Sequence, residues 1–293
     1  MLSYEQPLYR PPSEGDNLIL QATIGCSYNR CTFCSMYHHK TFRAKPLDHM
    51  LAEIDQAALD WTDARRIFLA DGDALVLPTD HLEHILDHLI LRFPRLQRVS
   101  SYALPSNLSK KSVEELTRLA DKKLNLLYYG IESGDTEILK IIQKGTSPQS
   151  MVRGLWKAHE AGMKVSATVI LGLGGSQRWQ QHITHTAELI NQAPLNYLST
   201  LQLHLDPAVE QQFLNSFKTP FNFQEDTAIL KELALLLEGI TAPPRRLIFR
   251  SNHASNALAL AGNLPDHREK LLAQIHQALD HTEMLRPTWM RSL

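Results

Sequence analysis

Hydrophobic and polar positions follow two alternating periods along most of this chain. The run NLILQATIG, residues 17 to 25, is nearly continuous in apolar and β-branched residues and ends in glycine, which predicts a buried strand. LDHMLAEIDQAALDW, residues 47 to 61, then places Met50, Leu51, Ile54, Ala58 and Trp61 on one face at helical spacing, and RRIFLADG, 65 to 72, returns as a strand. The same alternation predicts helices over 79–93, 112–123, 147–161 and 177–192, and strands over 97–103, 124–132, 164–173 and 196–205. Six strands alternating with helices require a parallel sheet with right-handed crossovers. The predicted fold class is therefore α/β, an open partial (β/α)6 barrel of parallel strands, because a closed eight-fold barrel would need two further units.

After residue 206 the rhythm changes to Pro-containing segments, a helix over 226–239, the strand-like RRLIFRS and a last helix over 267–279. This predicts an N-terminal extended segment over 1–16, the partial barrel over 17–206, and a C-terminal extension over 207–293 packed on the barrel. Pro11-Pro12, Pro220 and Pro243-Pro244 interrupt the pattern, but none lies in a long polar linker, so a single domain overall is expected.

Composition narrows the classes. With 43% hydrophobic residues the chain can bury a core, and its composition is not that expected of a disordered chain. Thirty basic against 31 acidic residues give a formal charge of -1, so no dedicated nucleic-acid or membrane-surface patch is expected. The start, MLSYEQPLYRPPSEGDN, lacks the features of a signal peptide and no long uninterrupted apolar stretch occurs, which predicts a cytoplasmic protein with no membrane partner. Three cysteines, an odd number gathered in one stretch, do not suit a disulfide framework.

Those cysteines are the chemical signal. Cys26, Cys31 and Cys34 stand in GCSYNRCTFCSMY with the spacing C-x4-C-x2-C, directly after the first predicted strand. Three thiolates so close can converge on one metal centre. A structural zinc would need a fourth ligand, which His38 or His39 could supply as a Cys3His site. A 4Fe-4S cluster with three cysteine ligands would leave one iron open to a substrate or cofactor. Position favours the cluster: a loop at the carboxyl end of a parallel strand is where barrel enzymes place chemistry, whereas a stapling zinc suits a small, core-poor module.

With these residues the chain resembles the radical SAM superfamily, in which three cysteines after the first strand of a partial barrel hold a 4Fe-4S cluster. The usual spacing there is C-x3-C-x2-C, and this chain has one extra residue between Cys26 and Cys31. Phe33 stands where the family carries an aromatic residue against the adenine of S-adenosylmethionine (SAM), or is a loop aromatic packed on the barrel. In FLADGDAL, Gly72 and Asp73 resemble the segment whose backbone carbonyls meet the methionine ammonium. A strand-to-helix turn is the alternative.

YYGIESGDTEILKIIQKGTS, residues 128 to 147, resembles the fourth strand and following helix of many family members. The resemblance places Glu132 on the ribose hydroxyls and Ser133 on the SAM carboxylate, although Ser133 also suits a helix cap. VILGLGG, 169 to 175, resembles the adenine-binding strand, with Ile170 covering the ring and Gly172 allowing close backbone approach. RSNHASNALALAGNLP, 250 to 265, crowds Arg250, Asn252, His253 and Asn256 into a stretch that suits a carboxylate- or phosphate-bearing substrate, or a hydrogen-bonded turn holding the C-terminal extension. Similar RSNHASN stretches, together with the LYRPPSE start, mark an uncharacterised branch of the superfamily.

The resemblance implies reductive cleavage of SAM to methionine and a 5'-deoxyadenosyl radical that abstracts hydrogen from an unidentified substrate, with electrons from a donor such as flavodoxin or ferredoxin. With no cysteine beyond the three, a second iron-sulfur cluster and the methylthiotransferase class are not expected, and no segment has the size of an N-terminal cobalamin domain. Two other readings remain: a non-catalytic zinc-stabilised binding protein built on Cys26, Cys31, Cys34 and His38, and a maturation factor that keeps the cluster without cleaving SAM.

Overall fold

Alternation of apolar and polar positions on short β-branched runs, separated by amphipathic helices, gives the chain its observed order. The structure, a computed structural model, describes residues 2–291. Strand β1 (Leu18–Gln21) is followed by a short β2 (Thr23–Ile24), which pairs antiparallel with β3 (Arg43–Ala44), and by helix α1 (Leu47–Asp60). Then come β4 (Arg66–Ala70), α2 (Thr79–Arg92), β5 (Arg98–Ala103), the short α3 (Pro105–Lys110), α4 (Val113–Asp121) and β6 (Leu124–Glu132). Continuing are α5 (Thr136–Ile141), α6 (Pro148–Glu160), β7 (Lys164–Leu171), α7 (Gly175–Gln192), β8 (Tyr197–Gln202) and α8 (Pro207–Asn215). The chain ends with α9 (Asp226–Gly239), β9 (Leu247–Ser251), β10 (Leu260–Leu264) and α10 (Arg268–Asp280).

Residues group into two compact units, one of residues 1–29, 34–129 and 156–165, the other of residues 30–33, 130–155 and 166–293. In the first unit the strands run β1-β4-β5-β6, all parallel, with Leu20 opposite Leu69 and Ser101 opposite Leu127. In the second they run β7-β8-β9-β10, parallel except for the last pair. The expected α/β class with mainly parallel strands is thus observed.

β1 is buried at every position and β4 at all but its first, so both faces of these two strands are covered. In the first unit Ile19, Phe68 and Ala70 form a cluster on which Tyr4, Leu8, Tyr102 and Tyr128 pack, and the rings of Phe68, Tyr102 and Tyr128 meet edge to face. The N-terminal segment covers that face. Tyr4 donates from its hydroxyl to the Ile19 carbonyl at 2.9 Å, and Tyr128 donates to the fully buried Glu14 at 2.5 Å. Glu14 also accepts from Arg98 (2.8 Å) and Asn17 (2.5 Å), so its charge is compensated.

Several expected boundaries shift. The run over 17–25 breaks at Ala22 into β1 and β2 rather than one strand, because β2 turns away to pair with β3. On α1 the buried positions are Met50, Ile54 and Ala57, while Trp61, expected on that face, is the C-cap residue and 42% exposed. The short α3 and α8 were not expected, whereas α5 is the helix expected after the strand that ends at Glu132. The segment after 206 adds two strands to its sheet, β9 parallel to β8 and β10 antiparallel to β9, where only one strand-like stretch was expected.

Candidate functional site

The cysteine loop follows β1 and β2, at the carboxyl end of the first parallel strand. Cys26, Cys31 and Cys34 are half-buried and none forms a disulfide. Cys26 and Cys34 belong to the first unit, while Cys31, with Thr32 and Phe33, belongs to the second. Asn29, at φ 42°, turns its backbone N–H onto the Cys26 sulfur at 3.5 Å. Thr32 is buried and its N–H donates to the Ile142 carbonyl at 3.0 Å, which docks the middle of the loop on the end of α5. Phe33 is half-buried.

The end of β4 holds this loop. Gly72 lies so close to it that an added Cβ would stand 2.2 Å from the Gly25 carbonyl oxygen and 2.6 Å from the Cys26 Cα. Only glycine fits there. Asp73, fully buried, accepts from the Ser27 N–H at 2.9 Å, the Ser27 hydroxyl at 2.5 Å and the Asn107 amide at 3.3 Å. Burial pushes its carboxyl up from the ordinary range, and those three donors pull it back only in part. Asp71, also buried, pairs with buried Lys40 at 2.7 Å, and Lys40 donates in addition to the carbonyls of Glu5 (2.8 Å) and Pro7 (2.7 Å). Lys40 comes from the stretch just after the last cysteine. Sequence reasoning missed this pair, because a lysine and an aspartate far apart in the chain carry no periodic signal.

The end of β6 is the other polar centre. Glu132 adopts φ 61°, a left-handed conformation that costs a non-glycine residue free energy and that concentrates at functional sites. Its carboxylate folds back over Gly130, where an added Cβ would meet Glu132 Oε1 at 1.9 Å, and pairs with the buried Lys144 ammonium at 2.8 Å. Glu132 is therefore a partnered buried charge, and neither Lys144 nor Gly130 was singled out from sequence.

Ser133 is fully buried. Its hydroxyl meets His182 Nδ1 at 2.7 Å and accepts the Asp135 N–H at 3.0 Å. Because His182 Nε2 faces the Ile170 carbonyl at 3.0 Å, which can only accept, Nε2 carries the proton and Nδ1 accepts from Ser133. Burial holds this imidazole neutral, with its pKa pushed down to about 4. The expected helix cap is thus corrected: α5 is capped by Asp135, which accepts the N–H groups of Glu137 and Ile138, because the Ser133 hydroxyl is committed elsewhere.

Ile170 is 9% exposed on β7, and Gly172 takes φ 90° at the strand's end. The Gly172 N–H donates to Oε2 of Glu232, a fully buried carboxyl on α9, at 2.7 Å. With its amide oriented to satisfy both partners, Gln224 donates to Glu232 Oε1 at 2.6 Å and to the Gly175 carbonyl at 3.0 Å. Burial pushes the Glu232 carboxyl up to about 8, against the lowering effect of those two donors.

The four candidate substrate residues do not converge. Asn256 is buried and ties β8 to β9: its amide donates to the Thr200 carbonyl at 2.8 Å and the Ser251 hydroxyl at 3.1 Å, while its oxygen accepts the Gln202 N–H at 2.8 Å. His253 Nδ1 meets the Ser255 hydroxyl at 2.8 Å, and Arg286 holds the surrounding carbonyls. Arg250 and Asn252 are exposed. The turn expected as the alternative is present at Asn256, which bonds to Ser251, while Arg250 bonds instead to the Phe249 and Gly262 carbonyls.

Three half-buried thiols on one nine-residue loop are a donor set suited to an iron-sulfur cluster, although among the described residues no group of three or more His, Cys, Asp or Glu side chains is drawn together as a ready ligand set. That statement covers His38 of the zinc alternative as well.

The fold and this loop define a mainly parallel α/β protein that carries three cysteines on one loop at the carboxyl end of its first strand. The chain belongs to the Radical SAM superfamily, whose sequence profile matches residues 20–189. Members of that family are enzymes that bind a 4Fe-4S cluster and SAM. A candidate methylthiotransferase of Methanocaldococcus jannaschii is 27% identical over 169 residues, 54% of this chain and 35% of that one. Coproporphyrinogen III oxidase of Escherichia coli, a radical SAM enzyme, superposes with a TM-score of 0.57 at 16% identity, over 76% of this chain and 52% of that one. The Kitasatospora setae methyltransferase TsrM, solved with cobalamin and a 4Fe-4S cluster bound, gives 0.51 at 16% identity, over 64% and 35%. This chain thus spans about half or less of the length of each. Among the described residues no helix is long and apolar enough to cross a membrane.

Proposed function

We propose that this chain is a radical SAM enzyme that uses a 4Fe-4S cluster to cleave SAM reductively and abstract hydrogen from its substrate. The observation that carries the reading is the C-x4-C-x2-C loop at the carboxyl end of β1, pinned by Asp73 and packed on Gly72. When bound, the cluster and SAM supply a one-electron cleavage of a carbon-sulfur bond and the hydrogen abstraction that follows. Cys26, Cys31 and Cys34 hold the cluster in this reading.

The chain's own residues bind and orient. Glu132, held by Lys144, presents a charged acceptor for ribose hydroxyls, Ile170 and Phe33 offer apolar faces to adenine, and the Gly72–Asp73 turn places backbone beside the cysteine loop. Ser133 acts through His182 by locking the ends of β6 and β7 together rather than by touching a ligand. Of the four candidate substrate residues, Arg250 is the one this reading places on the substrate, since Asn256 is spent on holding β8 and His253 is bonded to Ser255. A cytoplasmic location and a one-electron donor such as flavodoxin or ferredoxin belong to the same reading.

The deciding experiment is anaerobic reconstitution with iron and sulfide, followed by dithionite and SAM and an assay for 5'-deoxyadenosine. Product that requires all three cysteines supports the reading. Stoichiometric zinc in place of iron, with no product, moves the protein to the binding-protein alternative. A cluster without product moves it to the maturation-factor alternative.

A further inference from the structure

The second unit's sheet has two unlike faces. One row across it, Ala167, Leu198, Phe249 and Gly262, lies on the helix side, as shown by Gly262, where an added Cβ would meet Leu271 of α10 at 3.1 Å. The next row, Thr168, Ser199, Arg250 and Ala261, therefore points to the opposite face. Every side chain in this second row is half-buried or exposed, whereas those of the first are buried. A row of two hydroxyls and a guanidinium across three neighbouring strands is not a packing solution. Apolar or inert residues would serve there equally well.

The hydrogen bonds sharpen the point. Arg250 donates through Nη1 alone, to the Phe249 carbonyl at 2.8 Å and the Gly262 carbonyl at 3.4 Å. That pins the guanidinium plane to the β9–β10 backbone and leaves its Nε–Nη2 edge without a partner among the described residues. This edge is one of the two guanidinium edges that match a carboxylate or phosphate bidentately. The hydroxyls of Thr168 and Ser199 likewise have no hydrogen-bond partner among the described residues. Two residues further along β7 on the same face lies Ile170, about 6–7 Å away.

We infer that the row Thr168, Ser199 and Arg250 is an anchor for an oxyanion, a carboxylate or a phosphate, carried by the substrate. The side-on edge of Arg250 takes two oxygens and the hydroxyls on β7 and β8 donate to the same group. The inference rests on the radical SAM reading for the word substrate, but the site itself needs neither cluster nor SAM. It also separates Arg250 from Asn256, which is spent on holding β8.

The test is ligand-dependent thermal stabilisation of the full, cluster-free chain, titrated separately with glutarate and with inorganic phosphate. Wild type is expected to show saturable stabilisation by one of them, and the one that saturates identifies the anion class. Arg250→Gln is expected to weaken that midpoint by about tenfold or more, the loss of a charge-assisted pair of hydrogen bonds. Arg250→Lys should weaken it nearly as much, since an ammonium lacks the fork. Ser199→Ala should weaken it a few-fold with an unchanged melting temperature, which guards against a misfolded Arg250 variant. Arg246→Gln, which removes the same charge from an exposed site outside the row, should leave the midpoint unchanged. No saturation by either anion in wild type, or an Arg250→Gln midpoint equal to wild type, overturns the inference. Because no SAM is present, the result stands whatever the 5'-deoxyadenosine assay shows.

Discussion

Asp73 and Ser27 are joined twice, the carboxylate accepting both the backbone N–H (2.9 Å) and the hydroxyl (2.5 Å) of the residue that follows the first cysteine. Asp73→Ala removes the acceptor of three donors, the N–H and hydroxyl of half-buried Ser27 and the amide of buried Asn107, and a buried donor left unsatisfied costs about 1–3 kcal/mol. The variant is therefore expected to melt several degrees lower and to take up less iron on reconstitution. Asp73→Asn keeps an acceptor oxygen and should recover part of both. Equal iron content in wild type and Asp73→Ala would show that the cysteine loop is ordered without this anchor.

Gly72 makes the same argument by sterics. A methyl group there cannot coexist with the Gly25 carbonyl 2.2 Å away, and both neighbours are backbone, so no side chain can yield. Gly72→Ala is expected to displace the cysteine loop and abolish the brown chromophore after reconstitution. A normal iron-sulfur spectrum would refute the close packing.

Glu132 and Lys144 form a buried pair, and removing one partner from such a pair costs about 3–5 kcal/mol. Lys144→Met should destabilise more than Glu132→Gln, because it strands a buried carboxylate. The double variant Glu132→Gln/Lys144→Met should recover much of the stability, as replacing both partners often does. If Glu132 serves SAM, the double variant regains stability but not SAM affinity, which equilibrium binding on the reconstituted protein measures. Recovery of both would assign the pair to structure.

Much of the fold was legible because it is carried by period. β6 and α9 fall where alternation and helical spacing predict them, and the parallel order follows from the strand-helix alternation. The cysteine loop was legible by spacing alone. What the sequence hid was partnership across long separations: Lys40 with Asp71, Lys144 with Glu132, Glu232 with Gly172, and Asp135 in place of Ser133 as the cap of α5. Each depends on which face of an element a polar side chain takes. A single-residue pattern does not encode that choice when the neighbouring positions are also polar. Asn256 shows the converse, since a residue with the chemistry of a ligand contact proved to be bound to the Thr200 and Gln202 backbone.

The two strongly shifted groups near β7 set opposite pH limits. His182 is held neutral with its pKa lowered from 6.5 to about 4, so its contribution to stability is present above 6.5 and lost as pH falls through 4. Glu232 is held protonated with its pKa raised from 4.5 to about 8, so its contribution is present below 4.5 and lost as pH rises through 8. Glu232→Gln, which keeps an acceptor for the Gly172 N–H, should therefore flatten the alkaline decline in melting temperature without moving the acid one. The comparison of wild type and variant between pH 6 and 9 checks it, and parallel curves would mean that the buried carboxyl is already ionised at neutral pH. Since Glu232 holds the N–H of Gly172 at the end of the strand that carries Ile170, the same experiment asks whether ionising one α9 carboxyl loosens the turn proposed above to lie beside the adenine. SAM affinity falling with stability above pH 8 in wild type but not in Glu232→Gln is the expected result if the ionised carboxyl draws that turn toward water.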